Sequence, residues 1–166
     1  MLTELDLYVC LKLATSTEAQ RRYEALASEL DIGLGSAHRA VDHLTAAGLL
    51  RPNRKVNRRA LLGVLVHAAR YVYFTKPGEI TRGMPTAQAA PPLSGLLTTT
   101  AETPVWPDPT GDARGPTVTP LHRHAPEAAR RDPKLYELLA LLDALRIGQT
   151  REVELAEREL ETRLAG

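Results

Sequence analysis

The stretch RYEALASELDIGLGSAHRAVDHLTAAGLL, residues 22–50, decides the fold that the sequence predicts. A first helix is predicted before a break at 31–33. A second helix is predicted after the break, over 34–47, and it ends at Gly48. Two short helices joined by a tight turn form a helix-turn-helix, whose second helix can lie in the major groove of DNA. The first helix is indicated by apolar or small residues at the i, i+3, i+4 and i+7 positions of one face, Tyr23, Leu26, Ala27 and Leu30.

The second helix of this pair has one apolar face and one polar face. The apolar face predicts packing against the rest of the chain, and it is formed by Ala37, Ala40, Val41, Leu44 and Ala47. On the polar face, Arg39 is the best candidate to bind a guanine through two hydrogen bonds. Asp42 either pairs with Arg39 or accepts from a cytosine amino group. The predicted base-contacting residues are Ser36, His38, Arg39 and His43.

The stretch resembles the winged helix-turn-helix of bacterial transcriptional regulators of the MarR type and their relatives. The resemblance extends over residues 4–60, and Gly33 departs from it, because the family usually has a capping Ser there. Gly is a tolerable N-cap, so the expected fold is unchanged. The resemblance implies a DNA-binding regulator that dimerises through terminal helices, although the same module also serves as a protein-binding domain. The residues in register are Leu26, Ala27, Leu30, Ile32, Ala37, Arg39, Val41, Leu44, Gly48, Leu49 and Leu50.

Positive charge is concentrated in and after the second helix. Residues 33–82 contain nine Lys and Arg but only two acidic residues, although the whole chain has a net charge of only +1. Neutralisation of phosphates supplies most of the sequence-independent affinity for DNA, so this distribution favours a DNA-binding surface. The predicted phosphate-contacting residues are Arg51, Arg54, Lys55, Arg58, Arg59, Lys76 and Arg82.

The N-terminal 82 residues are predicted to form one DNA-binding domain. A first helix is expected over 3–15, and a further helix over 58–69 follows the helix pair. Tyr71–Phe74 has the aromatic and β-branched content of a strand, and 80–82 is a candidate returning strand. We therefore expect the wing, a small β-hairpin, at 71–82.

Residues 83–131 contain nine of the twelve prolines, which excludes a long helix or a central strand. Two interpretations remain open: a flexible linker, or an extended segment that wraps over the globular part. The second is favoured because the segment carries a Trp and apolar residues at intervals. The expected anchors are Leu93, Leu96, Val105, Trp106, Val118 and Leu121.

Residues 132–166 are predicted to form two helices, the first with Asp132 as N-cap and Pro133 in its first turn. Its leucine stripe has the spacing of a packing seam, either against the chain's own first helix or against a second subunit. The resemblance favours a second subunit. The predicted dimer or partner interface is therefore Leu135, Leu138, Leu139, Leu142 and Leu145.

Other function classes have little support in the sequence. There is no glycine-rich phosphate loop, GxSxG, HExxH or CxxC motif, so we expect no enzyme, metal site or cofactor. Cys10 cannot form an internal disulfide as the only cysteine, and we expect it to be a small core residue. No apolar stretch is long enough for a membrane span and no leader is evident, which favours a cytoplasmic protein.

The sequence thus predicts a mainly α protein with a small β-hairpin: a winged helix-turn-helix followed by a C-terminal helical element. The expected function is that of a homodimeric transcriptional regulator, a repressor, that binds double-stranded DNA. Binding of a small-molecule effector remains a further option, since many relatives of the resembled class bind one. The alternative is a protein-interaction module, or an antitoxin-like or defence-associated regulator, that docks a partner protein through its C-terminal helices.

Overall fold

A computed structural model describes residues 1–98 and 102–165. The fold is mainly helical with one small antiparallel sheet. None of the helices in the described ranges has the length and apolar character needed to cross a membrane. The helices are α1 (Glu4–Ala14), α2 (Tyr23–Leu30), α3 (Leu34–Ala46), α4 (Arg58–His67), α5 (Ala69–Val72), α6 (Ala125–Arg131), α7 (Pro133–Ile147) and α8 (Thr150–Leu164), and the strands are β1 (Ile80–Pro85), β2 (Val105–Pro107) and β3 (Ala113–Pro116).

The predicted helices near the N-terminus are present, and local signals explain their ends. Thr3 and Asp6 form a capping box at the start of α1, so that two otherwise unpaired backbone N–H groups are satisfied. Helix α2 ends at Leu30 and is followed by its C-cap Asp31, which adopts a left-handed conformation with φ of 57°. Gly33 occupies the N-cap position of α3 without a side-chain hydrogen bond, and Gly48, at φ of 81°, lies just beyond its end.

A short hairpin follows α3 directly, before the fourth helix. Leu50 and Val56 form an antiparallel bridge, and the N–H of Asn57 donates to the Leu49 carbonyl over 2.8 Å. The side chain of Asn57 then caps α4 by accepting from the N–H of Ala60. We call the residues between the two bridged positions, 51–55, the basic turn.

The predicted hairpin at 71–82 is wrong. Tyr71 and Val72 belong to the short helix α5, and Tyr73 is a buried residue after its end. The segment 80–82 does form a strand, as part of β1, but both partners of β1 come from the proline-rich segment. The sheet order is β2-β1-β3, and Gly83 is needed at its centre because a Cβ there would lie 1.9 Å from the Trp106 carbonyl oxygen.

The proline-rich segment packs against the helices with most of its apolar side chains. Five of the six expected anchors are buried, and Leu96 is 52% exposed. Trp106 donates from its indole nitrogen to the Asp143 carboxylate of α7 over 2.7 Å, and Thr86 donates to the same oxygen over 2.7 Å. The segment is therefore attached to the centre of α7 by polar contacts as well as by apolar packing.

Helix α7 lies at the centre of the molecule. It contacts α1, α4, α5, α6 and α8, and one hydrophobic cluster extends from Leu7 to Leu164. All members of the leucine stripe are at most 2% exposed. They are core residues of their own chain, which corrects the prediction that they form a dimer or partner interface: Leu135, Leu138, Leu139, Leu142 and Leu145.

Candidate nucleic-acid interface

The polar face of α3 points away from the core. Its apolar face packs against α1 and α2, which leaves His38, Arg39 and Asp42 exposed. The guanidinium of Arg39 donates to the hydroxyl of Ser36 one turn earlier, over 3.2 Å. The structure shows this contact and no Arg39–Asp42 ion pair among the described residues. Ser36 and Arg39 thus form one polar group near the start of α3.

His38 is linked to the basic turn by a stack of three side chains. Its ring lies on that of Tyr23, at the start of α2, with 3.6 Å between centroids. The guanidinium of Arg54 covers the same Tyr23 ring at 4.2 Å and also donates to the Arg21 carbonyl. Arg54 has φ of 61°, a conformation that favours glycine, and these side-chain contacts compensate for the strain. The stack holds the basic turn next to the exposed face of α3.

His43 is anchored further along α3. Its Nδ1 lies 3.2 Å from the buried carboxylate of Asp6, which also caps α1. The His43 side chain is 54% exposed, so the ring is fixed at one edge and open to solvent. The contact therefore connects α3 to the start of α1, and the predicted base contact of His43 is left to the exposed part of its ring.

Two adjacent concave surfaces border the basic turn, with volumes of about 770 Å³ and about 710 Å³. The first lies between the turn, the start of α4 and the end of α8, and the second between the turn and residues 18–22. They share Arg21 and Lys55. Only Glu18 and Glu161 bring negative charge to them, against seven cations: Arg21, Arg22, Arg51, Arg54, Lys55, Arg58 and Arg59.

The predicted phosphate-contacting residues divide into outward and inward groups. Arg51, Lys55 and Arg59 are exposed, and they take part in no ion pair among the described residues. Arg58 instead turns inward and donates to the carbonyls of Ala14 and Arg163, at the ends of two helices, over 2.8 and 3.3 Å. Its role in the structure is to hold α1, α4 and α8 together, which replaces the expected phosphate contact.

Lys76 and Arg82 lie in another part of the molecule. Both are exposed, but Arg82 belongs to β1 and Lys76 to the loop before it. The sheet is tied to α6 and α7 by side chains, including a hydrogen bond from the Tyr136 hydroxyl to the Pro85 carbonyl. The prediction of a wing at 71–82 required these two cations to lie beside the other phosphate-contacting residues. The structure instead places them away from the basic turn.

Three residues of this surface were missed by the sequence analysis: Arg21, Arg22 and Tyr23. They lie within residues 1–32, which contain more acidic than basic residues, so the charge distribution does not point to the two arginines. The signal was present as the pair Arg21-Arg22 directly before the helix pair. The 3-10 helix Ala19–Arg21 brings this pair beside the basic turn.

Two further titratable groups, His122 and Cys10, are engaged in packing. His122 stacks on Tyr8 at 4.8 Å, and burial lowers its pKa, with a smaller contribution from the neighbouring His124 and Arg123. Cys10 is buried, which raises its pKa to about 12. Within residues 1–98 and 102–165, no group of three or more His, Cys, Asp or Glu side chains is arranged to hold a metal ion.

A scan of protein-family models, a search of curated proteins and a search of solved structures each gave no match to this chain.

Proposed function

We propose that the chain is a transcriptional regulator that binds double-stranded DNA as a winged helix-turn-helix, with α3 in the major groove and the basic turn on the phosphate backbone. One observation carries the proposal: the stack of His38, Tyr23 and Arg54 joins the exposed face of α3 to the basic turn. Base-reading side chains and phosphate-binding cations thus share one surface, as sequence-specific binding requires.

The dimensions and side chains of α3 suit this role. A helix with its side chains is about 10–12 Å wide, and the major groove of B-DNA is about 12 Å wide. Ser36, His38 and Arg39 lie in the first two turns of α3, the part of a recognition helix that reaches base edges. Arg39 is assigned to a guanine, and the exposed Arg51, Lys55 and Arg59 to phosphates.

The proposal is tested by separating specificity from overall affinity. After selection of bound duplexes from a random pool, fluorescence anisotropy compares the selected duplex with a scrambled one. We expect Arg39→Ala to remove about 1–3 kcal/mol of discrimination between them. Arg59→Ala should weaken binding to both duplexes by the same factor, because a phosphate contact carries no sequence information.

Arg151→Ala is the matched control, since Arg151 is an exposed arginine in the first turn of α8. It should leave both affinities unchanged. Equal effects of Arg39→Ala and Arg59→Ala on the two duplexes would contradict the division of roles, and a selection that enriches no sequence would contradict specific recognition.

We also propose a homodimer, formed through a different surface from the leucine stripe. Four large apolar side chains within ten residues are more than half exposed: Tyr71, Val72, Phe74 and Ile80. Single exposed apolar residues are ordinary, and we take four of them within ten residues of the chain as the contact surface. A second copy is the proposed occupant, because helix-turn-helix regulators bind two half-sites through a two-fold dimer. The same observation favours the alternative, a docking site for another protein.

Light scattering coupled to size-exclusion chromatography distinguishes these possibilities. The wild type should have the mass of two chains, and Tyr71→Ser with Phe74→Ser should shift it to the mass of one. Leu96→Ser, which changes an apolar residue elsewhere that is also more than half exposed, should remain dimeric. A wild type that is monomeric at every concentration would overturn the homodimer.

A further inference from the structure

The first of the two concave surfaces, the cavity between α4, α8 and the basic turn, is lined by apolar as well as charged side chains. We call its apolar residues the floor and its charged residues the walls. Leu13 and Leu164 are buried at this floor, and Val56 and Leu62 are half-buried beside them. The volume of about 770 Å³ lies within the range of about 300–1,000 Å³ typical of small-molecule sites. The backbone of duplex DNA presents phosphates and sugars to a protein, so phosphate binding alone leaves this floor without a role.

The walls of the cavity carry an excess of positive charge. Five cations line it, and Glu161 is the one carboxylate among its lining residues. Arg58 is held in place by the Ala14 and Arg163 carbonyls, so its charge cannot move away from the cavity. A concave surface lined by an excess of one sign of charge attracts ligands of the opposite sign, so this cavity favours an anion. The remaining cations are Arg21, Arg51, Lys55 and Arg59.

We propose that this cavity binds a small organic phosphate monoester, with the phosphate among the cations and its apolar body on the leucine and valine floor. A phosphate monoester carries a charge of about −1.5 to −2 at pH 7. It therefore matches a site with five cations better than a ligand with one carboxylate group would. Arg59 and Lys55 are free to turn toward the phosphate because neither is committed to an ion pair in the described chain.

Isothermal titration calorimetry with three matched probes tests the proposal on the full-length protein, without DNA and at constant ionic strength. Phenyl phosphate has both the charged head and the apolar body, inorganic phosphate only the head, and phenol only the body. We expect phenyl phosphate to bind at least about tenfold more tightly than either, from burial of the ring on the floor. Equal affinities for phenyl phosphate and inorganic phosphate would overturn the proposal, and so would the absence of binding by phenyl phosphate.

Two variants assign the two halves of the ligand. Arg59→Ala should weaken phenyl phosphate and inorganic phosphate by the same factor, about threefold to tenfold. Leu62→Gln should reduce the preference for phenyl phosphate while leaving inorganic phosphate unchanged, and Arg151→Ala should change neither. An Arg59→Ala protein with wild-type affinity for both anions would place binding elsewhere. Should Leu62→Gln fail to fold, as judged by circular dichroism, the wild-type probe series and Arg59→Ala decide the matter.

Discussion

Charged residues are exposed on α3 and around the basic turn, whereas those at the centre of α7 are buried and paired. Around α3, Arg39, Arg51 and Arg59 face solvent. On α7, Asp143 and Arg146 are buried and paired at 2.8 Å, and Asp143 also accepts hydrogen bonds from Thr86 and Trp106. The difference shows which charges are available to a ligand and which ones hold the wrapped segment to the core.

The apolar patterns of the two helices differ in the same way. The buried residues of α3 lie on one face, which leaves a polar face for solvent or a partner. Helix α7 has ten buried residues in fifteen, so it is covered from several sides. A helix that is apolar all round is normally buried. The second subunit that the resemblance implied is not needed to cover the leucine stripe, because the chain's own elements bury it.

The largest expected effect comes from breaking the buried charge pair of α7. Asp143→Ala leaves Arg146 unpaired in the core and removes the acceptor for Thr86 and Trp106, so the free energy of unfolding should fall by about 3–5 kcal/mol. Urea unfolding followed by circular dichroism measures this loss. Asp112→Ala, at an exposed carboxylate, should change stability by less than about 0.5 kcal/mol. A similarly small loss in Asp143→Ala would show that the buried pair does not hold the wrapped segment.

A smaller effect should separate two neighbouring arginines that look alike in the sequence. Arg58→Ala removes hydrogen bonds to two helix-end carbonyls, so it should lower the free energy of unfolding by about 1–3 kcal/mol. Arg59→Ala should leave stability within about 0.5 kcal/mol of the wild type, because its side chain is exposed. The same urea titrations measure both variants. Equal stabilities would show that Arg58 is not an inward, structural residue.

The sequence was sufficient to predict the elements that local signals define. Asp132 caps α7 as expected, since a capping side chain and its N–H lie within one turn, and Thr3 and Asn57 cap α1 and α4 in the same way. Tyr71–Phe74 was mistaken for a strand because tertiary packing overrides local β propensity. The partners of β1 lie twenty or more residues away along the chain, beyond the range of any local pattern.

The candidate site was predictable in its composition and not in its arrangement. Helical spacing alone placed His38 and Arg39 on the polar face of α3. The contact of Arg54 with Tyr23 and the inward turn of Arg58 depend on three-dimensional packing, to which neighbouring arginines in the sequence give no clue. The pair Arg21-Arg22 lies in a segment that is acidic overall, so its positive charge does not stand out in the sequence.

The contact between the basic turn and the DNA backbone can be measured through the salt dependence of binding to a random DNA duplex. Each phosphate neutralised contributes about −0.9 to the slope of log affinity against log salt concentration. With Arg22, Arg51, Lys55 and Arg59 exposed around the basic turn, we expect a wild-type slope of about −4 or steeper. Lys55→Ala with Arg59→Ala should make it shallower by about two. A wild type that fails to bind duplex DNA at low salt, or a slope that the double substitution leaves unchanged, would contradict the claim that the basic turn contacts the DNA backbone.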